Sequence, residues 1–279
     1  MHILIVASDD KRLRAAGVKE FRRRVEHAGW MEETITLREF LAHPPPLHNY
    51  DDLAIAGGDG TVNACLTQSG RLPIVVVPVG TGNDLARSLS IRTEGDAGRS
   101  LRSGHRIKLD IGSVTTDKGE ERFVNGIGIG LDGMVASLHH RGIPYELAAL
   151  SSLVRVPRFR ARLSIDGGRF EEIEFMSLLV ANGAWFGGGF KMAPNALLND
   201  GVFDLISIAP VTRRKFLESF QKAKAGKHLQ EDAVTERRGR SFILESDEPL
   251  PWHLDGESRS SKRLDVKVLP KEKAFYTLI

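Results

Sequence analysis

The pentapeptide Gly57-Gly58-Asp59-Gly60-Thr61 constrains this chain more than any other stretch. It follows the apolar run Leu53-Ala54-Ile55-Ala56 and precedes Val62-Asn63-Ala64-Cys65-Leu66, a mixture that reads as the opening turns of a helix. A strand, a glycine turn and a helix N-terminus together make an anion site. Glycines reach positive φ and let peptide N–H groups approach a ligand with no Cβ in the way. The first N–H groups of the helix lack partners and lie at the positive end of its dipole, which a phosphate satisfies. Asp59 would repel that phosphate unless a divalent cation or its water shell lies between them, so the loop points to a nucleotide with magnesium. Taken alone, it reads equally as a tight turn whose aspartate caps a helix.

The 279 residues suffice for two domains, and 41% hydrophobic content is ample for packed cores. Charges nearly cancel, leaving +3, so nothing demands nucleic acid, while mild basicity suits anionic ligands or lipid surfaces. With Cys65 as the single cysteine, an intramolecular disulfide and a cysteine zinc cluster are both excluded. The histidines show no HExxH-like spacing, and His139-His140 read as a solvated helix end. The chain starts on a strand-like run, Ile3–Ala7, unlike a signal peptide, and no apolar stretch is long enough to span a bilayer. The expectation is a soluble, cytoplasmic protein whose membrane contact is peripheral, at the inner face.

Two textures divide the chain. Up to about residue 107, strands and helices alternate: Ile3–Ala7, a helix carrying Leu13, Val18, Phe21 and Val25, then Glu33–Leu37, Leu53–Ala56 and Ile74–Val77 as strands. Gly80-Thr81-Gly82-Asn83-Asp84 then leads into a helix from Leu85, with Asn83 and Asp84 as capping residues. This predicts a parallel α/β sheet with both glycine loops beyond the carboxyl ends of its strands, where such sheets bind ligands. From 108 to 269 strands predominate: Lys108–Val114, Arg122–Ile129, Phe159–Ile165, Arg169–Ala181, Val202–Ile208, Ser241–Leu244 and Arg263–Leu269. Helices are expected over Leu131–His140, Tyr145–Val156 and Thr212–Ala225. That pattern predicts an all-β sandwich or barrel, with Phe275–Leu278 as a strand that is a candidate to return to the first domain. A substrate site is expected in the cleft between the domains.

Two further motifs carry carboxylates. Asn195–Val202 places Asp200 at a turn into a strand, and Asp255-Gly256-Glu257 follows Pro251-Trp252-His253-Leu254. Each alone is also an ordinary turn or hairpin tip. In this order, Gly57–Asn63, Gly80–Asp84, Leu109–Gly112, Asn125–Gly133, Asn182-Gly183 with Gly187–Gly189, Pro194–Val202 and Asp255–Glu257 resemble the diacylglycerol kinase catalytic domain. The resemblance is to the small bacterial lipid kinases of the diacylglycerol and sphingosine kinase superfamily, and it runs along nearly the whole chain.

The resemblance implies an N-terminal nucleotide domain like that of NAD kinases and a C-terminal β-sandwich. It implies that Gly57, Gly58, Asp59, Gly60, Thr61 and Asn63 hold ATP, with Asp59 facing the catalytic Mg2+. Thr81, and more weakly Thr36, would contact the nucleotide. Glu257 matches the proton acceptor, with Asp255 beside it, and Asp200 with the carbonyls of Leu197 and Val202 matches a structural magnesium site. The implied reaction is transfer of the γ-phosphate of ATP to a lipid hydroxyl, with diacylglycerol giving phosphatidic acid. The same fold also serves a sphingoid base or NAD as acceptor, and a catalytically weak nucleotide-binding regulator is a further alternative. Family members usually carry Asn-Pro and a small turn after the first strand; here Ala7-Ser8-Asp9-Asp10-Lys11-Arg12 stands there. A homodimer is left open.

Lipid contact has two candidates. Ala184–Phe190 is rich in aromatics and glycine, suited to a mobile greasy wall or to core and turn. The helix over Thr212–Lys227 sets Phe216, Leu217, Phe220 and Ala223 against several lysines and arginines, suited to an anionic membrane or to packing on the sandwich.

Overall fold

The computed structural model describes residues 1–13, 15–80, 82–140, 156–254 and 257–279. Thr81, Asp255, Gly256 and nearly all of the helix expected over Tyr145–Val156 lie outside the described residues, as do the side chains of His139 and His140. The chain divides into two units, Met1–Asp110 with Lys271–Ile279, and Ile111–Pro270.

The first unit is a parallel sheet with helices. Its elements in chain order are β1 (His2–Ala7), α1 (Asp10–Leu13), α2 (Ala16–His27), β2 (Met31–Thr36), α3 (Leu37–Ala42), β3 (Asp52–Gly57), α4 (Asp59–Leu66), β4 (Ile74–Pro78), α5 (Asp84–Ser88) and α6 (Glu94–Ser103). Strands run in the order β2, β1, β3, β4, with the end of the last strand, β14 (Glu257–Tyr276), parallel to β4 through Phe275 and Ile74. The continuous apolar runs of β1, β3 and β4 are buried on both faces, as a helix-covered parallel sheet requires. β2, Met-Glu-Glu-Thr-Ile-Thr, is only partly buried and forms the edge. Val18, Phe21 and Val25 bury one stripe of α2.

The sequence pattern did not suggest α6, because Gly95 and Gly98 weaken its propensity. It is started by a capping box between Thr93 and Asp96. A Cβ on Gly98 would lie 2.8 Å from Cδ of Arg24, so the glycine lets α6 approach α2.

The last residues close this unit by polar contacts that the periodicity does not reveal. Lys273 Nζ, buried, donates to the carbonyls of Gly70 at 2.8 Å and Ser69 at 3.3 Å, and burial pulls its pKa down to about 8. Tyr276 donates its hydroxyl proton to the fully buried Asp52 at 2.7 Å, which also faces Arg106 at 3.2 Å. Thr277 Oγ1 donates to Leu89 O at 3.1 Å.

In the second unit, β5 (Arg106–Thr116), whose latter part lies here, pairs antiparallel with β6 (Gly119–Phe123). There follow β7 (Gly126–Gly130), α7 (Leu131–His140), β8 (Phe159–Ile165), β9 (Glu171–Phe175), β10 (Ser177–Ala181), β11 (Phe203–Ile208), α8 (Arg213–Ala223), β12 (Val234–Gly239) and β13 (Ser241–Leu254). β12, β11, β10, β7, β13 and β14 are joined in that order, while β13 also pairs with β8 and β8 with β9. A register shift between Glu245 and Leu250 bends β13, so Phe242–Glu245 pair with β8 and Trp252–Leu254 with β7. One strand thereby serves both layers. Phe123, Phe175, Phe203, Phe242 and Trp252 fill the core between them.

Two strands expected as continuous are broken. Arg122–Ile129 is interrupted at Val124-Asn125, where Asn125 O turns to accept the N–H groups of Asn182 and Gly183. Arg169–Ala181 is interrupted at Met176, which bonds Ile208 and Leu131 instead. Conversely, Ser241–Leu244 extends to Leu254, and Arg263–Leu269 and Phe275–Leu278 fall on the single strand β14 or just past its end. β12 was missed because Val-Thr-Glu-Arg-Arg-Gly is a charge-rich edge without apolar alternation.

Of the two readings for α8, packing prevails: Phe216 joins the cluster of Leu131, Val135 and Met176, and Phe220 lies 4.6 Å from the ring of Phe190. Leu217 remains exposed.

Tyr276→Phe should therefore destabilise the protein by about 1–3 kcal/mol, because it removes a donor from a buried carboxylate. Urea unfolding reads this as a lower midpoint at unchanged slope; an unchanged midpoint would show that Arg106 alone satisfies Asp52.

Candidate active site

In the first unit the site begins with register. Gly57, the last residue of β3, is paired with Pro78, the last of β4, so both glycine loops leave neighbouring strands at one level. α4 starts at once, with Gly58 as its N-cap and Gly58 O accepting from Thr61 N at 3.0 Å and Val62 N at 3.2 Å. The glycines serve closeness, not handedness. Gly57, Gly58 and Gly60 do not take positive φ, contrary to the reading from sequence. A Cβ on Gly80 would stand 2.4 Å from Gly58 Cα, and one on Gly57 would stand 2.3 Å from Thr61 Oγ1. Among the described residues of the second loop, Asn83 is left-handed, with φ 57°. Its amide closes the loop by accepting from Gly80 N at 3.1 Å and donating to Gly80 O at 2.8 Å.

Asp59 joins the two loops. Its Oδ2 accepts from Asp84 N at 2.9 Å and its Oδ1 from Leu85 N at 3.0 Å, so it satisfies the first donors of α5 while standing at the start of α4. Burial raises its pKa, and the two N–H bonds and the charge of Arg87 oppose that rise. Arg87 itself bonds Asp84 at 2.9 Å. A buried carboxylate held from one side by peptide N–H groups, among backbone positions without Cβ atoms, fits a magnesium-bound phosphate chain. Thr61 and Asn63 lie on the first turns of α4.

Thr36 is the last residue of β2. It caps α3 in a reciprocal box with Glu39, accepting from Glu39 N at 3.2 Å and donating to Glu39 Oε2 at 2.8 Å. Those bonds hold the Glu39 carboxyl below its usual range. Because β1 lies between β2 and β3, Thr36 stands two strands, roughly 10 Å, from the end of β3. The unusual turn after β1 is also locally satisfied: Ser8 N donates to Ala56 O at 3.1 Å, and Asp9 Oδ1 accepts from Arg12 N at 2.7 Å.

In the second unit, Leu254 and Glu257 face each other at the β13–β14 hairpin end. The Glu257 side chain is 68% exposed, and its Oε2 accepts from Arg259 Nη2 at 3.1 Å. Sequence reasoning missed the residues around it. Arg259 bonds Glu121 on β6, and His253, opposite Ser258, is driven down to a pKa of about 4 by burial and by the charge of Arg259. A Cβ on Gly128 would stand 2.5 Å from His253 Nε2 and 2.7 Å from Asp132 Cβ. Asp132, on α7, accepts from the Ser177 hydroxyl, and burial raises its pKa. The signal available for Arg259 was its place two residues after Glu257 on one strand, hence on the same face.

The turn expected to hold a structural magnesium carries an arginine beside its aspartate. Asp200 Oδ1 accepts from Val202 N at 3.3 Å and Oδ2 accepts from Arg238 Nη2. Arg238 Nε lies 3.2 Å from Oδ1 of Asp204, which is directly opposite it across β11 and β12. Burial holds the Asp204 carboxyl up at about 6 against the pull of Arg238. Leu197 is exposed. Donors thus meet both Asp200 oxygens on one side, and the Arg238 guanidinium sets a positive charge beside the turn. Among the described residues, no group of three or more His, Cys, Asp or Glu side chains is arranged to hold a metal.

Comparison with known proteins agrees with this architecture. Residues 127–275 match the profile of the family described as YegS C-terminal NAD kinase beta sandwich-like domain, and residues 10–114 match the diacylglycerol kinase catalytic domain. A diacylglycerol kinase of Mycobacterium tuberculosis (strain CDC 1551 / Oshkosh) is 29% identical over 231 residues, covering 79% of this chain and 74% of that one. The crystal structure of a diacylglycerol kinase from Bacillus anthracis strain Sterne superposes with a TM-score of 0.69 at 18% identity, covering 99% of this chain and 96% of the other. An NAD kinase from Archaeoglobus fulgidus, solved in complex with ATP, shares the fold with a TM-score of 0.54 at 15% identity, covering 99% and 94%.

If Asp200 with the carbonyls of Leu197 and Val202 holds magnesium, millimolar magnesium should shift the melting temperature of Asp200→Asn less than that of the parent, whereas equal shifts would place the metal elsewhere. Arg238→Ala should cost roughly 1–3 kcal/mol in urea unfolding, since it leaves Asp204 buried and unpaired.

Proposed function

Because the chain belongs to the diacylglycerol kinase and YegS-type lipid kinase family, we propose that it is an ATP- and magnesium-dependent lipid kinase whose acceptor is diacylglycerol and whose product is phosphatidic acid. The observation that carries this reading is the pair of glycine loops braced by Asp59, a backbone cradle suited to phosphates. Gly57, Gly58, Gly60, Thr61 and Asn63, with Thr81 from the second loop, bind the nucleotide phosphates. Asp59 faces the cation. Magnesium, when bound, offsets charge on the β- and γ-phosphates.

Glu257 is the proton acceptor. As the acceptor oxygen forms its bond to the γ-phosphorus and the bond to the bridging oxygen of ADP breaks, the hydroxyl proton passes to a Glu257 carboxylate oxygen. Exposure at a hairpin end suits that role, because a carboxylate open to solvent can pass the proton it accepts on to water. Asp255 lies two residues before it and orients it or binds metal. The first unit is thus the donor site, and the second receives the alcohol. The protein would work at the inner membrane face, where its lipid lies. Among the described residues, no helix is long and apolar enough to cross a membrane.

Glu257→Gln should lower kcat by roughly 10²–10⁴-fold while melting temperature and ATP affinity stay at parental values. Transfer of labelled γ-phosphate to diacylglycerol, sphingosine and NAD, in mixed micelles where needed, checks this. Label reaching only NAD or sphingosine would change the acceptor. Substantial turnover in the variant would remove Glu257 from its role, and nucleotide binding without transfer to any acceptor would favour the regulator.

A further inference from the structure

The Glu257 carboxylate sits on an exposed hairpin end, yet a proton acceptor must meet its hydroxyl in one geometry. A neighbouring side chain restricts it. The Arg259 guanidinium grips residue 257 twice: Nη1 donates to the Glu257 carbonyl at 2.8 Å and Nη2 donates to Glu257 Oε2 at 3.1 Å. Arg259 is itself held. Nε donates to Glu121 Oε2 at 2.8 Å, Nη2 donates to Glu121 Oε1 at 2.5 Å, and the guanidinium carbon lies 5.5 Å from the ring centre of Trp252. Trp252 is fully buried and directly opposite Arg259 in the strand register, which leaves the arginine side chain only 19% exposed.

An ion pair between two mobile surface side chains contributes little, since ordering both offsets the attraction. Here one partner is fixed in advance by a bidentate carboxylate and an aromatic face, so the ordering cost falls on Glu257 alone. Two carboxylates share one guanidinium, which takes one bond from the Glu257 carboxylate, so Glu257 keeps lone pairs for a proton.

We infer that Arg259 is a positioning residue for Glu257, and that Glu121 acts through Arg259. The inference rests on the reading of Glu257 as proton acceptor. A lysine could not replace the arginine fully, because a single ammonium group lacks the planar fork that spans the carbonyl, the Glu257 carboxylate and Glu121 together.

The test measures kcat and KM with ATP and diacylglycerol in mixed micelles for Arg259→Ala, Arg259→Lys, Glu121→Gln and the control Arg263→Ala, which lies farther along β14 and pairs with Glu245. In parallel, ¹³C relaxation of the Glu257 side chain, assigned by its disappearance in Glu257→Gln, reports its mobility without any turnover. Arg259→Ala should lower kcat at least about tenfold with KM within about twofold, raise Glu257 mobility, and recover rate on addition of free guanidinium. Arg259→Lys and Glu121→Gln should fall between it and the parent, and Arg263→Ala should match the parent. Parental kcat in Arg259→Ala, or unchanged Glu257 mobility in that variant, would overturn the inference. If the parent phosphorylates no lipid, the kinase reading fails separately, and the relaxation data still decide whether Arg259 holds Glu257.

Discussion

Two hydrogen bonds from the backbone of Asp84 and Leu85 to the Asp59 carboxylate hold the candidate nucleotide site together. They tie the start of α4 to the start of α5, and so convert two separate glycine turns into one surface. The bonds are possible because Gly57 and Pro78 are register partners and because Gly58 and Gly80 meet with no Cβ between them. The carboxylate satisfies peptide donors that would otherwise lack partners, and its place between the two glycine loops is the ground for proposing that it faces a cation. The capping reading and the metal-facing reading of this loop are compatible, since N–H bonds to one side of a carboxylate leave lone pairs on the other.

The second unit solves a different problem. Its candidate acid–base group is exposed, so geometry comes from neighbours rather than from burial. A charged pair at the surface contributes on the order of 0–1 kcal/mol to stability, too little to matter for folding, yet a side chain confined to one rotamer matters greatly for proton transfer. Arg259 acts on that second scale. Elsewhere the same residue type does structural work. Arg238 bridges Asp200 and Asp204 across a turn where the family resemblance pointed to magnesium.

Much of the architecture was legible in the residues because it rests on local pattern. The buried runs of β1, β3 and β4, the helical stripe of Val18, Phe21 and Val25, and the glycine loops all announce themselves within short windows. What escaped depends on contacts distant in sequence. Strand breaks at Asn125 and Met176 come from backbone groups bonding residues far along the chain. The burial of Lys273 and Tyr276 follows from the return of the last strand to β4. The capping box between Thr36 and Glu39, three residues on, was a short pattern visible in sequence, and the resemblance drew attention away from it. The Arg238 partner of Asp200 is separated from it by the whole of β11 and α8.

The most direct measurement on the braced cradle is the affinity of Asp59→Asn for magnesium ATP, by isothermal titration beside the parent. Asparagine keeps the size of the side chain but turns one acceptor into an N–H donor facing a peptide N–H, so one of the two bonds is lost. A fall in affinity of at least about tenfold, in a protein that still melts cooperatively, is the expected result. Parental affinity in a folded Asp59→Asn would contradict the view that this carboxylate assembles the nucleotide site.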